Sequence, residues 1–334
     1  MSILVTGGAG YIGSHMVWEL LDAGHEVVVL DRLSTGFQWA LAPGAKFYRG
    51  DIGDRHVLDE IILTHRISAI IHFAGSVIVP ESVSDPLSYY DNNTAKSRTL
   101  IAAAVEGGVK HFVFSSTAAV YGTHEDMKPV RETARLKPES PYGTSKLMTE
   151  MMLKDAAVAH DFNYTVLRYF NVAGADPSLR TGQSTRGATH LIKVACEAAL
   201  GKRPGIDVFG VDYPTLDGTC IRDYIHVSDL AAVHLLALER MQSGGKSIVA
   251  NCGYGHGFSV LEVLNRVKSI TGNDFPVRFA PRRSGDAVSV VADSTIAHSE
   301  FNWIPKYDDL SLILKTALSW EEQLSSREVD LSVS

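Results

Sequence analysis

Short apolar runs alternate with helix-like segments through the first half of the chain. The runs are ILVTG, VVVLD, KFYRGD, SAIIHFAG, HFVFSS and TVLRYFNV. Such continuous apolar character is typical of parallel strands that are covered on both faces. Between the first two runs, SHMVWELLDAG carries apolar residues at helical spacing and reaches Gly24, which predicts a helix with a glycine stop. The alternation predicts an α/β fold with a doubly wound parallel sheet of the Rossmann type.

The pattern changes after about residue 172. Gly, Asp, Pro, Ser and Thr cluster in AGADPSLRTGQSTRGATH, which predicts a long connection, and a helix is predicted at about 191–200. We expect a Rossmann domain over residues 1–172 that binds the dinucleotide. Residues 173–334 are expected to form a smaller α/β lobe for the substrate, with a soft boundary that strands can cross.

Composition narrows the possible partners. The 334 residues are 45% hydrophobic, carry a formal charge of −7 and show no basic run, so nucleic acid is not expected as a partner. No apolar stretch reaches the roughly 18 residues of a membrane span. The three cysteines are widely spaced, which argues against a disulfide framework and against a zinc site. With no visible secretory signal, the expected location is the cytoplasm.

A glycine loop follows the first strand and opens the first helix. Gly7, Gly10 and Gly13 stand in TGGAGYIG at the spacing of a dinucleotide-binding turn. The helix start offers free N–H groups to a pyrophosphate. Asp31 ends the second strand and can bind a ribose, which favours NAD over NADP, although the adjacent Arg32 could meet a 2′-phosphate. A glycine-rich turn without a ligand is the competing interpretation.

A tyrosine and a lysine share one face of a predicted helix in SPYGTSKLMTE. Tyr142 and Lys146 are four residues apart, Pro141 can begin the helix, and Thr117 closes a preceding strand. An ammonium near a phenol lowers the phenol's pKa from about 10, so Tyr142 could act as a base. Most Y-x-x-x-K pairs are ordinary helix surface, but the upstream glycine loop favours the catalytic interpretation.

These motifs resemble the extended short-chain dehydrogenase/reductase superfamily and, within it, the UDP-glucose 4-epimerase family. The resemblance covers nearly the whole chain. It rests on HFAG at 72–75, on 80–94 and RYFNVAGA at 168–175, and on the segments 209–231 and 281–293. The stretch DYPTLDGT with RDYIHV is much more specific than the glycine loop.

The resemblance implies the interconversion of UDP-glucose and UDP-galactose with a tightly held NAD. In that reaction Tyr142 removes the proton of the sugar 4-hydroxyl while hydride passes to the nicotinamide. Thr117 relays the proton, and Lys146 orients the nicotinamide ribose. The 4-keto sugar turns about its diphosphate linkage before hydride returns to the opposite face. The family also implies a homodimer.

The resemblance also implies the binding residues. Expected cofactor contacts are Gly7, Gly10, Tyr11, Ile12, Gly13, Asp31, Asp51, Ile52, Phe73, Ala74, Gly75, Asn92 and Lys146. Expected substrate contacts are Thr117, Tyr142, Asn171, His190, Phe209, Arg222, Arg283, Asp286 and Val290. The two arginines match the diphosphate ligands, the aspartate a ribose ligand and the phenylalanine a uracil contact. Without the family, a surface Arg222–Asp223 pair and a core Phe209 are the simpler interpretations, and Asp51 and Ile52 fit a strand-end turn equally well.

Three positions depart from the family pattern. Val77 stands where a cofactor-contacting lysine is common, and His190 stands where an asparagine usually contacts the nucleotide sugar, with Lys193 in place of a common proline. Val290 stands where some members carry a tyrosine that narrows the sugar pocket. The last departure leads to the hypothesis that UDP-N-acetylglucosamine is also accepted; refilling by neighbouring side chains is the alternative.

Other activities remain open to different degrees. A nucleotide-sugar 4,6-dehydratase needs an acid pair directly after Thr117, where this chain has Ala118 and Ala119. An epimerase of UDP-xylose or UDP-glucuronate is the nearer alternative. A non-catalytic NAD-binding regulator is disfavoured because Tyr142 and Lys146 are both present.

Overall fold

The computed structural model describes residues 1–123, 127–283 and 286–333. The strands in chain order are β1 Ser2–Thr6, β2 Glu26–Asp31, β3 Lys46–Arg49, β4 Ala69–His72, β5 His111–Thr117, β6 Asn163–Tyr169, β7 Asn171–Ala173, β8 Ile206–Phe209, β9 Ile221–Arg222, β10 Tyr224–His226, β11 Ile248–Cys252, β12 Phe258–Ser259, β13 Val277–Ala280 and β14 Ser289–Val290. All of the predicted apolar runs form strands, and the last of them divides into β6 and β7.

Helices connect and cover these strands. They are α1 Tyr11–Asp22, α2 Arg55–His65, α3 Val79–Ser84, α4 Pro86–Tyr89, α5 Lys96–Glu106, α6 Pro141–Ala159, α7 Leu191–Ala199, α8 Val227–Gln242, α9 Val260–Thr271, α10 Thr295–Phe301 and α11 Leu310–Val333. Short 3-10 turns occur at Gln38–Ala40 and Ala118–Val120, and a π-helical segment at Tyr90–Ala95. Among the described residues no helix is both long and apolar enough to cross a bilayer.

Seven parallel strands form the main sheet in the order β11-β6-β5-β4-β1-β2-β3. The chain winds outward from β1 first through β2 and β3, then returns to β4 on the other side. The order of strands therefore reverses at β1 and β4, and ligands of such sheets bind outside the carboxyl ends of the strands at this reversal. The doubly wound prediction is confirmed.

Alternation along the central strands creates a core on each face of the sheet. Ile3 and Val5 of β1 pack with α1 and α8, whereas Leu4 packs with α2 and α5 on the opposite face. All three side chains are fully buried. Successive side chains of a strand point to opposite faces, so a strand covered on both sides must be apolar throughout. This is the reason for the continuous apolar runs in the sequence.

The second half contributes to both parts of the molecule. The small sheets β7–β10, β8–β13 and β9–β12–β14 belong to it, with a core formed among α7, α9 and α11. Strand β11 pairs with β6 in the main sheet, and α8 packs against α1. The elements after residue 172 are therefore divided between the main sheet and the smaller lobe. The three cysteines are buried and free.

Candidate functional site

The glycine loop fits closely against the carboxyl end of β4. Gly7 has φ +73°, and a Cβ there would lie 2.6 Å from the Ala74 backbone nitrogen. A Cβ on Gly13 would lie 2.1 Å from the Gly7 carbonyl oxygen, and one on Gly10 3.3 Å from the same atom. The packing requires glycine at positions 7 and 13, whereas the contact at Gly10 is only tight. No side chain caps the start of α1, so its first N–H groups remain for an anionic ligand.

Asp31 anchors the glycine loop. Its Oδ2 accepts a hydrogen bond from the Ala9 N–H at 3.0 Å, and its Oδ1 accepts from Leu33 N–H at 2.7 Å. The carboxylate thus stands at the end of β2 beside the loop, where a ribose hydroxyl would reach it. The backbone cradle, the free helix start and this carboxylate together fit NAD.

Arg32 and Asp51 lie beside this carboxylate and pair with each other. The Arg32 guanidinium is 3.3 Å from Asp51 and donates to Ser34 at 3.1 Å. Asp51 also accepts from Lys96 at 2.8 Å, and Ile52 beside it is buried in the core. Asp51 is thus shared between Arg32 and Lys96, and the Asp31 carboxylate beside the glycine loop is the group that disfavours the 2′-phosphate of NADP.

The loop after β4 connects the glycine loop with α6. Phe73, Ala74 and Gly75 occupy it, and a Cβ on Gly75 would lie 3.7 Å from Lys146 Nζ. Asn93, which lies beside the predicted cofactor contact Asn92, holds this loop in place.

Asn93 is almost fully buried, accepts from the Ser76 N–H at 2.7 Å and donates to Ser145 Oγ at 3.1 Å. Asn92 is only half-buried and donates to Ser76 Oγ at 2.9 Å. The contact of Asn92 with the cofactor stays a prediction, and the NN doublet by itself does not show which of the two residues faces α6.

Helix α6 begins where it can place Tyr142 beside β5. Ser140 caps it by accepting from the Gly143 N–H at 3.2 Å, and Pro141 occupies the first turn. A Cβ on Gly143 would lie 2.6 Å from the Ala119 carbonyl oxygen, so the helix start packs directly on the turn after Thr117. Glycine at this position brings the two elements together.

Tyr142, Lys146 and Thr117 meet at the carboxyl end of β5. Lys146 Nζ donates to the Ser115 carbonyl at 3.0 Å, and the Thr117 hydroxyl accepts from the Ala119 N–H at 3.1 Å. Burial lowers the pKa of Lys146 to about 8, and the Glu150 carboxylate opposes this. Burial raises the pKa of Tyr142, and a hydrogen bond with Thr117 opposes the rise. The net direction for Tyr142 is opposite to the expected lowering by Lys146, because burial is the larger effect.

Four of the predicted substrate residues form two side-chain pairs. The Arg222 guanidinium is 3.5 Å from Asp286 and donates to the Ala287 carbonyl at 3.0 Å. The Arg283 guanidinium stacks on the Phe209 ring, 3.8 Å from its centroid. Arg222 therefore pairs with Asp286 and not with Asp223. Residues 284 and 285 of the PRRSGD stretch lie outside the described residues.

Val290 links these pairs to the catalytic strand. It pairs with Arg222 in the β14–β9 ladder and packs against the cluster that contains Val120 and Tyr121. Val120 and Tyr121 come three and four residues after Thr117 in the chain. Asn171 begins β7, two residues beyond Tyr169, which is the strand partner of Thr117.

The other departures from the family pattern lie on different elements. His190 is exposed at the start of α7, and its ring nitrogen lies 3.0 Å from the Gln183 side chain. Lys193 is buried and pairs with Glu321 and, at 3.6 Å, with Glu197. Val77 is 48% exposed. In the structure, the His190 ring contacts Gln183 of the preceding connection. The contact of His190 with a nucleotide sugar stays a prediction.

Comparison with known proteins identifies the family. Residues 3–253 match the NAD dependent epimerase/dehydratase family. A UDP-glucose 4-epimerase from Azospirillum brasilense is 54% identical over 322 residues, which cover 96% of this chain and 92% of that protein. The chain belongs to the UDP-glucose 4-epimerase family. The resemblance, the NAD cofactor and the isomerase class are thereby confirmed.

Solved structures agree with this family. A UDP-glucose 4-epimerase from Brucella ovis in complex with NAD is 42% identical, with a TM-score of 0.92 over 95% of this chain and 97% of that one. The UDP-Glc/GlcNAc 4-epimerase from Campylobacter jejuni is 47% identical, with a TM-score of 0.85 over 96% of this chain and 99% of that one.

Proposed function

We propose that the protein interconverts UDP-glucose and UDP-galactose through a 4-keto intermediate. The observation that carries this proposal is the meeting of Tyr142, Lys146 and Thr117 at the end of β5, with Gly75 of the cofactor loop beside the lysine. A base, a hydroxyl and a cation beside a dinucleotide site are the groups needed to oxidise and reduce a sugar alcohol reversibly.

The chain's own residues move the proton and hold the reactants. Bound NAD supplies the acceptor and donor for the hydrogen at the sugar C4. The Tyr142 oxygen takes the proton of the 4-hydroxyl, and the Thr117 hydroxyl bonds the same oxygen and relays the proton. Lys146 bonds the nicotinamide ribose, and its charge favours the Tyr142 phenolate against the effect of burial.

Epimerisation requires firm binding of UDP and loose binding of the sugar. Arg222 and Arg283 hold the diphosphate through their planar sets of donors. Asp286 binds the uridine ribose, the Phe209 ring packs on uracil, and Asn171 contacts the sugar or the diphosphate. When the nucleotide arrives, Arg283 turns from the Phe209 ring to the diphosphate. The 4-keto sugar then turns about its diphosphate linkage and is reduced on the opposite face.

A product assay tests the proposal. The purified protein, with no added cofactor, is incubated with UDP-glucose, and proton NMR follows the anomeric signals. Appearance of UDP-galactose, and its loss in Tyr142→Phe, is the expected result. Absence of turnover, even after NAD is added, would contradict it and favour UDP-xylose or UDP-glucuronate as the substrate. A dehydrated product would contradict it differently, although Ala118 and Ala119 provide no acid for that step.

A second activity, on UDP-N-acetylglucosamine, follows from Val290. This half-buried side chain packs beside the turn after Thr117 and lacks the ring that narrows the pocket in some relatives. The Campylobacter relative carries both sugars in its name. We expect Val290→Tyr to abolish turnover of the N-acetyl sugar and to leave UDP-glucose turnover largely intact, while Val290→Ile serves as the matched control. A wild-type protein that acts on UDP-glucose alone would refute this second activity.

We also propose that the protein forms a homodimer. Apolar Val83, Leu87, Met148 and Met151 are exposed on α3, α4 and α6, which contact one another, and they offer a face for a homodimer. Light scattering of wild type and Met151→Glu tests this assembly, with a monomeric variant expected. The division near residue 172 and the cytoplasmic location are proposed in the same way.

A further inference from the structure

Helix α6 contacts the last three residues of strand β5 at three levels of the helix, one helical turn apart. Tyr142 bonds with Thr117, Lys146 donates to the Ser115 carbonyl, and Glu150 accepts from Ser116 Oγ at 2.5 Å. The three helix residues are spaced by four, so they lie on one face of α6. Two of these levels carry the catalytic groups; the third, at Glu150, has no place in the mechanism above.

The Glu150 carboxylate is held almost entirely out of water. It is 6% exposed and its partner Arg168 is 4% exposed. Arg168 donates to both carboxylate oxygens, with Nη2 at 2.6 Å and Nε at 3.0 Å. A buried ion pair is costly to desolvate and is seldom the most stabilising choice at a core position. Its bidentate geometry does fix the position of both partners.

The same pair also fixes the chain after Thr117. Arg168 Nη1 donates to the Tyr121 hydroxyl at 3.0 Å, and that hydroxyl donates to Asn251 Oδ1 at 2.6 Å. Thr117 is therefore bracketed: Ser116 before it bonds Glu150, and Tyr121 after it bonds Arg168. A shift of Glu150 would move the catalytic hydroxyl as well as the helix.

Glu150 lies one turn from Lys146, and its charge favours the ammonium form of that lysine. Tyr142 lies one turn before Lys146 on the same helix, the charge of Lys146 acts on His72 of β4, and Arg168 lies beyond Glu150. Burial and the Lys146 charge lower the pKa of His72 to about 3, so His72 is neutral at working pH. Glu150 is thus the anion that opposes the desolvation of Lys146.

We propose that Glu150 is a positioning residue of the epimerase: with Arg168 and Ser116 it sets the register of α6 on β5 and keeps a negative charge beside Lys146. This inference rests on the proposed function for its kinetic consequences. Its electrostatic consequence, the protonation of Lys146, does not depend on which sugar is the substrate.

The first test is Glu150→Gln, which keeps the shape and removes the charge. We expect kcat to fall about tenfold to hundredfold, because small displacements of catalytic groups are costly. KM for UDP-glucose should change by less than about twofold, since no proposed nucleotide contact is altered. The pH midpoint of Lys146, read from its Cε chemical shift in lysine-labelled NAD-loaded protein, should fall by about one to two pH units.

Two comparison variants separate charge from shape. Glu150→Asp keeps the charge, so the Lys146 midpoint should return to the wild-type value, with kcat only partly recovered because the shorter chain loses one of its partners. Glu106→Gln removes the same chemical group from an exposed pair with Arg55 and should change neither quantity. If Glu150→Gln is too unstable to purify, the double variant with Arg168→Met removes both charges. It should lower the Lys146 midpoint by less than the single variant, because the more distant Arg168 charge, which opposes the ammonium form, is lost as well.

An unchanged Lys146 midpoint in Glu150→Gln, or in the double variant, would overturn the inference. The inference would also be overturned if kcat fell only in proportion to the fraction of folded protein while the pH profile of kcat stayed unchanged. If the wild type fails to epimerise UDP-glucose, the proposed function fails, while the chemical-shift titration still decides the role of Glu150.

Discussion

Replacement of Gly13 by alanine tests the glycine-loop geometry most directly. A Cβ at this position would lie 2.1 Å from the Gly7 carbonyl oxygen, 2.8 Å from the Gly7 carbonyl carbon and 2.9 Å from the Gly8 Cα. All three atoms belong to the backbone, so no side chain can turn away. Restoring an ordinary contact requires a shift of about 1 Å between the loop and α1, because packed interiors leave no space for the extra atom.

The expected size of the effect follows from this overlap. Forcing one extra carbon into packed structure costs about 1–3 kcal/mol, which lowers the Tm of a protein of this size by about 1–4 °C. Gly10→Ala is the matched control: its Cβ would lie 3.3 Å from the same oxygen, and Gly10 has φ −82°. Its stability in the absence of cofactor should stay within about 0.5 kcal/mol of wild type.

Thermal melts of cofactor-free protein and calorimetric titration with NAD measure both consequences. Gly13→Ala should melt early and bind NAD at least about tenfold more weakly, because the loop that approaches the pyrophosphate is displaced. Gly10→Ala should weaken NAD binding without an early melt. A Gly13→Ala protein that melts and binds NAD like wild type would refute the packing argument, and equal melting losses in both variants would refute the distinction between the two glycines.

Three further predictions concern titratable groups. Tyr142→Phe should lower kcat by about 10²–10⁴-fold and leave calorimetric UDP binding unchanged; weaker UDP binding would count against a purely chemical role. Because burial lowers the pKa of Lys146 to about 8 from 10.5, turnover should decline as pH rises through about 8. The contribution of Lys146 to the free energy of unfolding should increase as pH rises from about 8 to 10.5, since the folded state binds fewer protons than the unfolded state in this range. The difference in the free energy of urea unfolding between wild type and Lys146→Met, measured across this range, checks the sign. Burial raises the pKa of Asp223 to about 6, so its contribution to stability should fall by about 3 kcal/mol as pH rises from about 4 through 6. Asp223→Asn should remove this dependence in urea unfolding, and an unchanged slope would contradict it.

Much of the fold follows from the sequence because its signals are local. A central strand of a covered parallel sheet is buried on both faces, so β1, β2 and β4 are visible as largely continuous apolar runs, whereas the edge strand β3 exposes Lys46 and Arg49. The glycine spacing reflects contacts between the loop and α1, which are separated by only a few residues. The helix that carries Tyr142 and Lys146 is likewise marked by its own cap and proline. The fold and the cofactor could therefore be predicted, and the helix that carries the proposed catalytic pair could be located.

Other features depend on long-range packing and leave no local trace. The sequence does not show, for example, that Asn93 and not Asn92 faces α6. The pKa of Tyr142 is raised where a lowering was expected, because its burial depends on several distant elements.

The pairing of Glu150 with Arg168 joins a helix to a strand 18 residues further along the chain. Strand β11, far along the chain, completes the main sheet beside β6. The sequence by itself determined which residues form strands, helices and the glycine turn, because steric fit and apolar burial act on neighbours in the chain. Only the tertiary structure decided which buried polar groups meet, because desolvation and pairing depend on contacts between distant segments.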